Sequence, residues 1–164
     1  MFLSDIKNRF NDVVNALVSS SGKEEIEDFF NSPSCVKEHL NLTELDVKEL
    51  SEESILYCKH GNWEKALESL GWLTFLDPSN AFHFLRLGSI LLRIEQYAEA
   101  LRILKVGSAL DSDNPEFFLY MGSCYLGLGE KEQAKESFQT TLWLSKNNPD
   151  HKEIFLLAEE AILI

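Results

Sequence analysis

The chain has 164 residues, enough for one domain or one short repeat array and too few for two ordinary domains. Apolar residues make up 45% and charged residues 26%, the balance of a folded soluble protein and not of a disordered tail. Lys+Arg number 15 against 27 Asp+Glu, so the net charge is −12 with histidine neutral; that excess repels phosphate backbones and anionic headgroups, and excludes nucleic acid and membrane surfaces as natural partners.

The opening residues, MFLSDIKNRF, carry Asp5, Lys7 and Arg9 where a signal peptide needs an unbroken apolar run. No apolar stretch approaches the ~20 residues that span a bilayer, so no membrane insertion is expected. Phe2, Leu3, Ile6, Phe10, Val13, Val14, Leu17 and Val18 recur at helical spacing and predict an amphipathic helix over 2–18, ended by Ser19-Ser20-Ser21-Gly22. Two readings of it are open. It caps the helices that begin near residue 47, or it is a homodimerisation or docking element presenting Phe2, Ile6, Phe10, Val13 and Leu17 on a flexible link. A short helix is expected at 24–31 (EEIEDFFN), stopped by Pro33, and another over 35–41, so that residues 1–46 form an N-terminal helical extension. Cys35, Cys58 and Cys124 are odd in number and share no CxxC spacing, which fits small, reduced side chains in a cytoplasm.

From residue 47 the chain agrees with itself at an offset of 34. Ala66, Ala100 and Ala134 are in register, as are Trp63, Tyr97 and Lys131, then Leu70, Leu104 and Phe138, then Asp77, Asp111 and Ser145. Ser54, Gly88 and Gly122 form a further column, and so do Tyr57, Leu91 and Tyr125. Such a period describes a helix, a tight turn and a second helix, a unit unable to bury its apolar stripe alone. Small residues on both helices let the two backbones approach. The turns fall at His60-Gly61-Asn62, Ile94-Glu95-Gln96 and Leu128-Gly129-Glu130; glycine there relieves a left-handed backbone, so Glu95 is the departure. The predicted pairs are 47–60/63–76, 81–94/97–110 and 115–128/131–144, within repeats 47–80, 81–114 and 115–148. The apolar stripe of Ile154, Phe155, Leu157, Ala158, Ala161 and Ile162 after Pro149 predicts a capping helix over 149–163, within a C-terminal segment 149–164.

Over residues 47–148 these columns resemble the tetratricopeptide repeat. The resemblance implies an all-α fold: a tetratricopeptide-repeat superhelix of three helix pairs, with an N-terminal helical extension and a C-terminal capping helix.

No convergent catalytic set is found. His39, His60, His83 and His151 have no metal-ligand spacing, and GxSxG, Walker and GxGxxG motifs are missing. Gly127 and Gly129 sit in a repeat turn, and Glu52/Glu53 and Glu159/Glu160 are adjacent pairs that a helix points about 100° apart. The chain is therefore expected to be no enzyme, with no cofactor and no metal.

In stacked pairs the first helices line an inner surface through their positions 2, 5, 9 and 12. The first repeat offers Lys48, Ser51, Ile55 and Cys58, the second Phe82, Leu85, Ser89 and Leu92, and the third Glu116, Leu119, Ser123 and Leu126. Serines between large apolar residues make pockets suited to an inserted side chain, unless terminal helices fold back and bury them. The Lys and Asn positions that clamp an acidic C-terminus in some repeat proteins hold Ser51, Ile55 and Glu116 here, with Arg86 and Arg93 nearby. An extended apolar peptide suits this lining better.

The stretches SILYCKHGNWEKALESLGWLTFLDPSNAFHFLRLGSILLRIEQYAEAL and LDSDNPEFFLYMGSCYLGLGEKEQAKESF narrow the resemblance. With Phe82, Phe84, Leu87 and Gly88 before Gln96-Tyr97, and Pro115, Phe117, Cys124 and Leu126 before Gly129-Glu130, the chain over about 35–162 is similar to the SycD/LcrH-like class II chaperones of bacterial type III secretion. What this implies is a non-enzymatic bacterial cytoplasmic chaperone in a virulence system. It would hold an extended segment of a secreted translocator in the groove and keep it soluble, without ATP, often as a homodimer through the N-terminal helices. Ile55, Phe82, Leu85, Ser89 and Leu92 would line the peptide pockets with Trp63 stacking behind them. Ser51 and Cys58 depart from the aromatic groove residues usual in the first repeat. The alternative is a tetratricopeptide-repeat adaptor joining folded proteins.

Overall fold

The computed structural model describes residues 2–20 and 31–163. Its regular elements, among the described residues, are helices, and the chain divides into two units, Met1–Pro78 and Ser79–Ile164. The helix expected at 24–31 lies, apart from Asn31, outside the described residues.

The first unit holds α1 (Phe2–Ser20), α2 (Pro33–His39), α3 (Glu44–Lys59) and α4 (Trp63–Leu76). Pro33 opens α2 instead of only ending the preceding segment, as proline's fixed φ and missing N–H allow at a first helical position. Asn41, at φ 51°, ends α2: its amide and that of Leu42 return to the carbonyls of Glu38 and Lys37. Helix α3 starts at Glu44, earlier than expected, because Thr43 and Asp46 form a reciprocal capping box. Hydrogen bonds from Thr43 hold the Asp46 carboxyl below its ordinary range.

Helix α1 is built into this unit. Leu3 and Ile6 are buried, with Val36, Leu40, Val47, Leu50, Leu70 and Leu73 also in the core of the unit. The Phe10 ring meets Trp72 of α4 edge to face, centroids 4.9 Å apart, and Lys7 pairs with Glu68 at 2.6 Å. Arg9 donates to the Leu40 carbonyl at the end of α2, 3.3 Å away. The apolar stripe read from the sequence thus has a partner in its own unit.

The second unit holds α5 (Ala81–Arg93), α6 (Tyr97–Leu110), α7 (Pro115–Gly127), α8 (Lys131–Ser145), a 3-10 turn (Pro149–His151) and α9 (Lys152–Ala161). The single terminal helix expected over 149–163 is thus divided, since Asn148 accepts from the Asp150 amide and Pro149 opens a tighter turn. Small residues explain the close packing of the pairs. A Cβ on Gly88 would stand 2.5 Å from Leu104 of α6, and one on Gly122 2.5 Å from Phe138 of α8. Ala100 and Ala134 are buried on the facing helices. Phe117 and Phe138 are fully enclosed, each worth about 1.5–3 kcal/mol of apolar burial. At the α5–α6 turn Glu95 takes φ 62°, the left-handed geometry that Gly129 adopts between α7 and α8 at φ 80°.

Candidate functional site

On α5, Phe82, Leu85, Ser89 and Leu92 recur at helical spacing, and on α7 Leu119, Ser123 and Leu126 do the same; the two helices pack side by side. Each start is fixed by an asparagine: Asn80 accepts from the Phe82 amide at 3.2 Å and Asn114 from the Glu116 amide at 3.0 Å.

The stripe is not uniformly open. Phe82 is 54% exposed, its ring 5.5 Å from the Arg86 guanidinium. Ser89, Leu92, Ser123 and Leu126 are half-buried. Leu85 and Leu119, expected to line an open wall, are instead 4% and 8% exposed and belong to the core. Leu119 clusters with Ala134, Phe138 and Ala158, and Leu126 packs partly against the same cluster. Helix α9 therefore takes over part of the third repeat's lining and leaves the Phe82, Ser89, Leu92 and Ser123 positions accessible.

The serines make this face less polar than their formula suggests. Ser89 Oγ donates to the Arg86 carbonyl at 2.8 Å and Ser123 Oγ to the Leu119 carbonyl at 3.1 Å. With each hydroxyl proton turned onto its own helix, a neighbouring apolar side chain strands no donor. The buried Cys124 thiol is pushed up to about 11 by desolvation and stays neutral.

In the first unit, α3 carries Ser51, Ile55 and Cys58, all half-buried, and the fully buried Ser54 donates to the Ser51 carbonyl at 2.6 Å. Tyr57 donates to Glu53 at 2.7 Å, a bond that, with burial, pushes the phenol up to about 12. Desolvation raises the Glu53 carboxyl, but hydrogen bonds outweigh it, those from Tyr57 and the Leu3 amide among them, and hold it below its usual range. Trp63 is half-buried at the start of α4, its ring near Gly61 of the turn. Of the α1 residues, Ile6 is buried while Phe2, Phe10 and Val13 are half-buried. Phe10 helps line a hollow of about 340 Å³ with Glu68, Gly71, Trp72 and Phe75.

Among the described residues, no group of three His, Cys, Asp or Glu side chains converges to hold a metal ion, and no helix is long and apolar enough to cross a membrane.

The sequence reading missed one column with a structural role. Asn80, Asn114 and Asn148 repeat at the same offset of 34, and each accepts an amide two residues on.

A family model described as tetratricopeptide repeat matches residues 91–158. No curated protein matches the chain. Among solved structures, PcrH in complex with the chaperone binding region of PopB is similar: 26% identity, 73% of this chain and 97% of that one covered, TM-score 0.70. PcrH is from Pseudomonas aeruginosa. The Yersinia enterocolitica type III secretion chaperone SycD, in complex with a peptide of the translocator YopD, is 23% identical with a TM-score of 0.72, covering 74% of this chain and 92% of its own. SycD in an alternative dimer gives 23% identity, the same coverage and a TM-score of 0.71. Among the described residues the chain is all-α, it carries a tetratricopeptide-repeat match over residues 91–158, and its fold resembles that of these proteins.

Proposed function

We propose that this protein is a non-enzymatic chaperone of a bacterial type III secretion system, holding an extended apolar segment of a secreted translocator and keeping it soluble in the cytoplasm before export. The observation that carries this reading is the α5/α7 face: Phe82 stands exposed in line with half-buried Ser89 and Leu92, in a fold shared with chaperones solved bound to translocator segments. Phe82, Ser89, Leu92 and Ser123 receive side chains of the segment, while Leu85, Leu119 and Leu126 support the floor. Ser51, Ile55 and Cys58 on α3 form a second face of the same kind in the other unit. A homodimer through α1 would rely on Phe2, Phe10 and Val13, since Ile6 is already buried in its own unit. The repeat region 47–148 is the binding part, with 1–46 and 149–164 as its flanking segments.

Two or three apolar anchors at roughly 1.5–3 kcal/mol each give about 3–9 kcal/mol gross. Ordering an extended segment offsets part of this, which places the affinity at about the micromolar level, tight enough to hold and weak enough to hand over.

The test is coexpression of the chain with a tagged candidate translocator. Leu92→Asp places a charge on the half-buried part of this face. Copurification is expected to disappear while circular dichroism stays unchanged. Retained copurification would remove the α5/α7 face as the binding surface, and a partner equally soluble without the chain would favour an adaptor over a chaperone.

A further inference from the structure

A second candidate binding site lies at the junction of α8 and α9, and it shares no residue with the α5/α7 stripe. A hollow of about 460 Å³ opens there, within the range of ligand pockets. Pro149, Phe155 and Leu156 give it an apolar wall, and Lys146 and Lys152 stand among its lining residues. No carboxylate lines it, in a chain with a net charge of −12. Asp150 and Glu153 stand on the same segment but outside the lining.

Four features of this junction go unexplained by the fold itself. Lys152 occupies the first position of α9, where the helix dipole favours an anion and a lysine has the wrong sign. The N-cap residue, His151, makes no side-chain hydrogen bond to the first turn, where the Lys152 amide donates instead to the Pro149 carbonyl. Ser145, also in the lining, is only 2% exposed, and its buried Oγ has no hydrogen-bond partner. A buried hydroxyl left without a partner carries a desolvation penalty that an acceptor would remove. The Nδ1 atom of His151, in the adjoining turn, is buried and unpartnered as well.

These groups require the same ligand chemistry. We propose that the α8/α9 hollow binds a peptide segment of a partner protein bearing an acidic side chain beside a bulky apolar one. The carboxylate lies between Lys146 and Lys152 near the start of α9 and accepts from the Ser145 hydroxyl once that group turns toward the hollow, while the apolar side chain rests on Phe155 and Leu156. Such a site would let one chain hold apolar cargo on α5/α7 and contact a second partner through α8/α9 at once.

The probe is a fluorescein-labelled hexapeptide of alternating glutamate and leucine, blocked at both ends, titrated into the full chain by fluorescence anisotropy. A parallel titration uses glutamine in place of glutamate. Amide shifts of the ¹⁵N-labelled chain map where the peptide binds. Saturable binding is expected, with shifts clustered over 145–156. The affinity should fall about tenfold or more for the glutamine peptide and for the Lys146→Glu/Lys152→Glu double variant, whose two positions are exposed and so leave the fold intact. Three results would each overturn the proposal: no saturable binding, an affinity indifferent to both changes, or shifts clustered on α5 and α7.

Discussion

Alanine at Gly107 probes how closely the helices of the second unit depend on missing side chains. Gly107 lies in α6, and a Cβ there would stand 2.3 Å from Cε1 of Phe117 on α7 and 2.8 Å from Cβ of Phe84 on α5. Phe117 is fully enclosed and cannot swing away, and the Phe84 Cβ is fixed to its backbone, so relief requires the helices themselves to shift. Overpacking of this kind costs about 1–3 kcal/mol, against a gain of about 1 kcal/mol from replacing a helical glycine by alanine. The two-sided clash puts the case at the upper end, for a net loss of about 1–2 kcal/mol. In a chain of this size that corresponds to a fall in Tm of about 2–8 °C. Gly71 in α4 is the internal control, because a Cβ there meets nothing within 4 Å. Gly71→Ala therefore keeps the propensity gain alone and should raise Tm by about 2–4 °C. Thermal melts followed by far-UV circular dichroism measure both. A Gly107→Ala protein as stable as the parent, or a Gly71→Ala protein destabilised to the same degree, would refute the close-approach reasoning.

Further expectations rest on single residues. Glu95→Gly relieves a left-handed backbone at φ 62° and should stabilise the chain by about 1 kcal/mol, seen as a higher urea midpoint at unchanged slope. Glu53, whose folded pKa lies below the ordinary 4.5, contributes stability that is present above that value and lost as pH falls through the folded one. Its partner Tyr57, raised from 10.0 to about 12, contributes stability that is full below pH 10 and lost as pH rises toward 12. Denaturation across both ranges should show the two limbs, and Glu53→Gln should flatten both; unchanged limbs would deny the pair its role.

The pairing of helices was legible because close approach leaves a mark on composition. Ser54, Gly88 and Gly122, and the alanines at 66, 100 and 134, are small for a reason that acts at a fixed place in every repeat, so an offset of 34 exposes them. The asparagine caps at 80, 114 and 148 obey the same offset, yet cap residues look like ordinary loop composition until the amide they bind is seen. The open face was only half legible. Spacing tells which side of α7 Leu119 occupies, but not that Ala158, far along the chain, shares its cluster. Likewise the stripe on α1 was evident, whereas its burial on the first unit depends on Phe10 meeting Trp72, a contact that no local pattern encodes. Ser145 was visible only as a member of a repeat column and Lys152 only as a surface lysine, and their shared setting emerges once the hollow beside them is seen.

Whether the α5/α7 stripe holds an unfolded segment of another protein is tested with least inference by site-specific photocrosslinking. Benzoylphenylalanine is placed at Ser89, between Phe82 and Leu92, and separately at Trp143, 77% exposed on α8. Irradiation of the chain coexpressed with a candidate translocator should join the position-89 protein to that partner's segment and leave the position-143 protein uncoupled. Crosslinks from position 143 with none from position 89 would contradict the account.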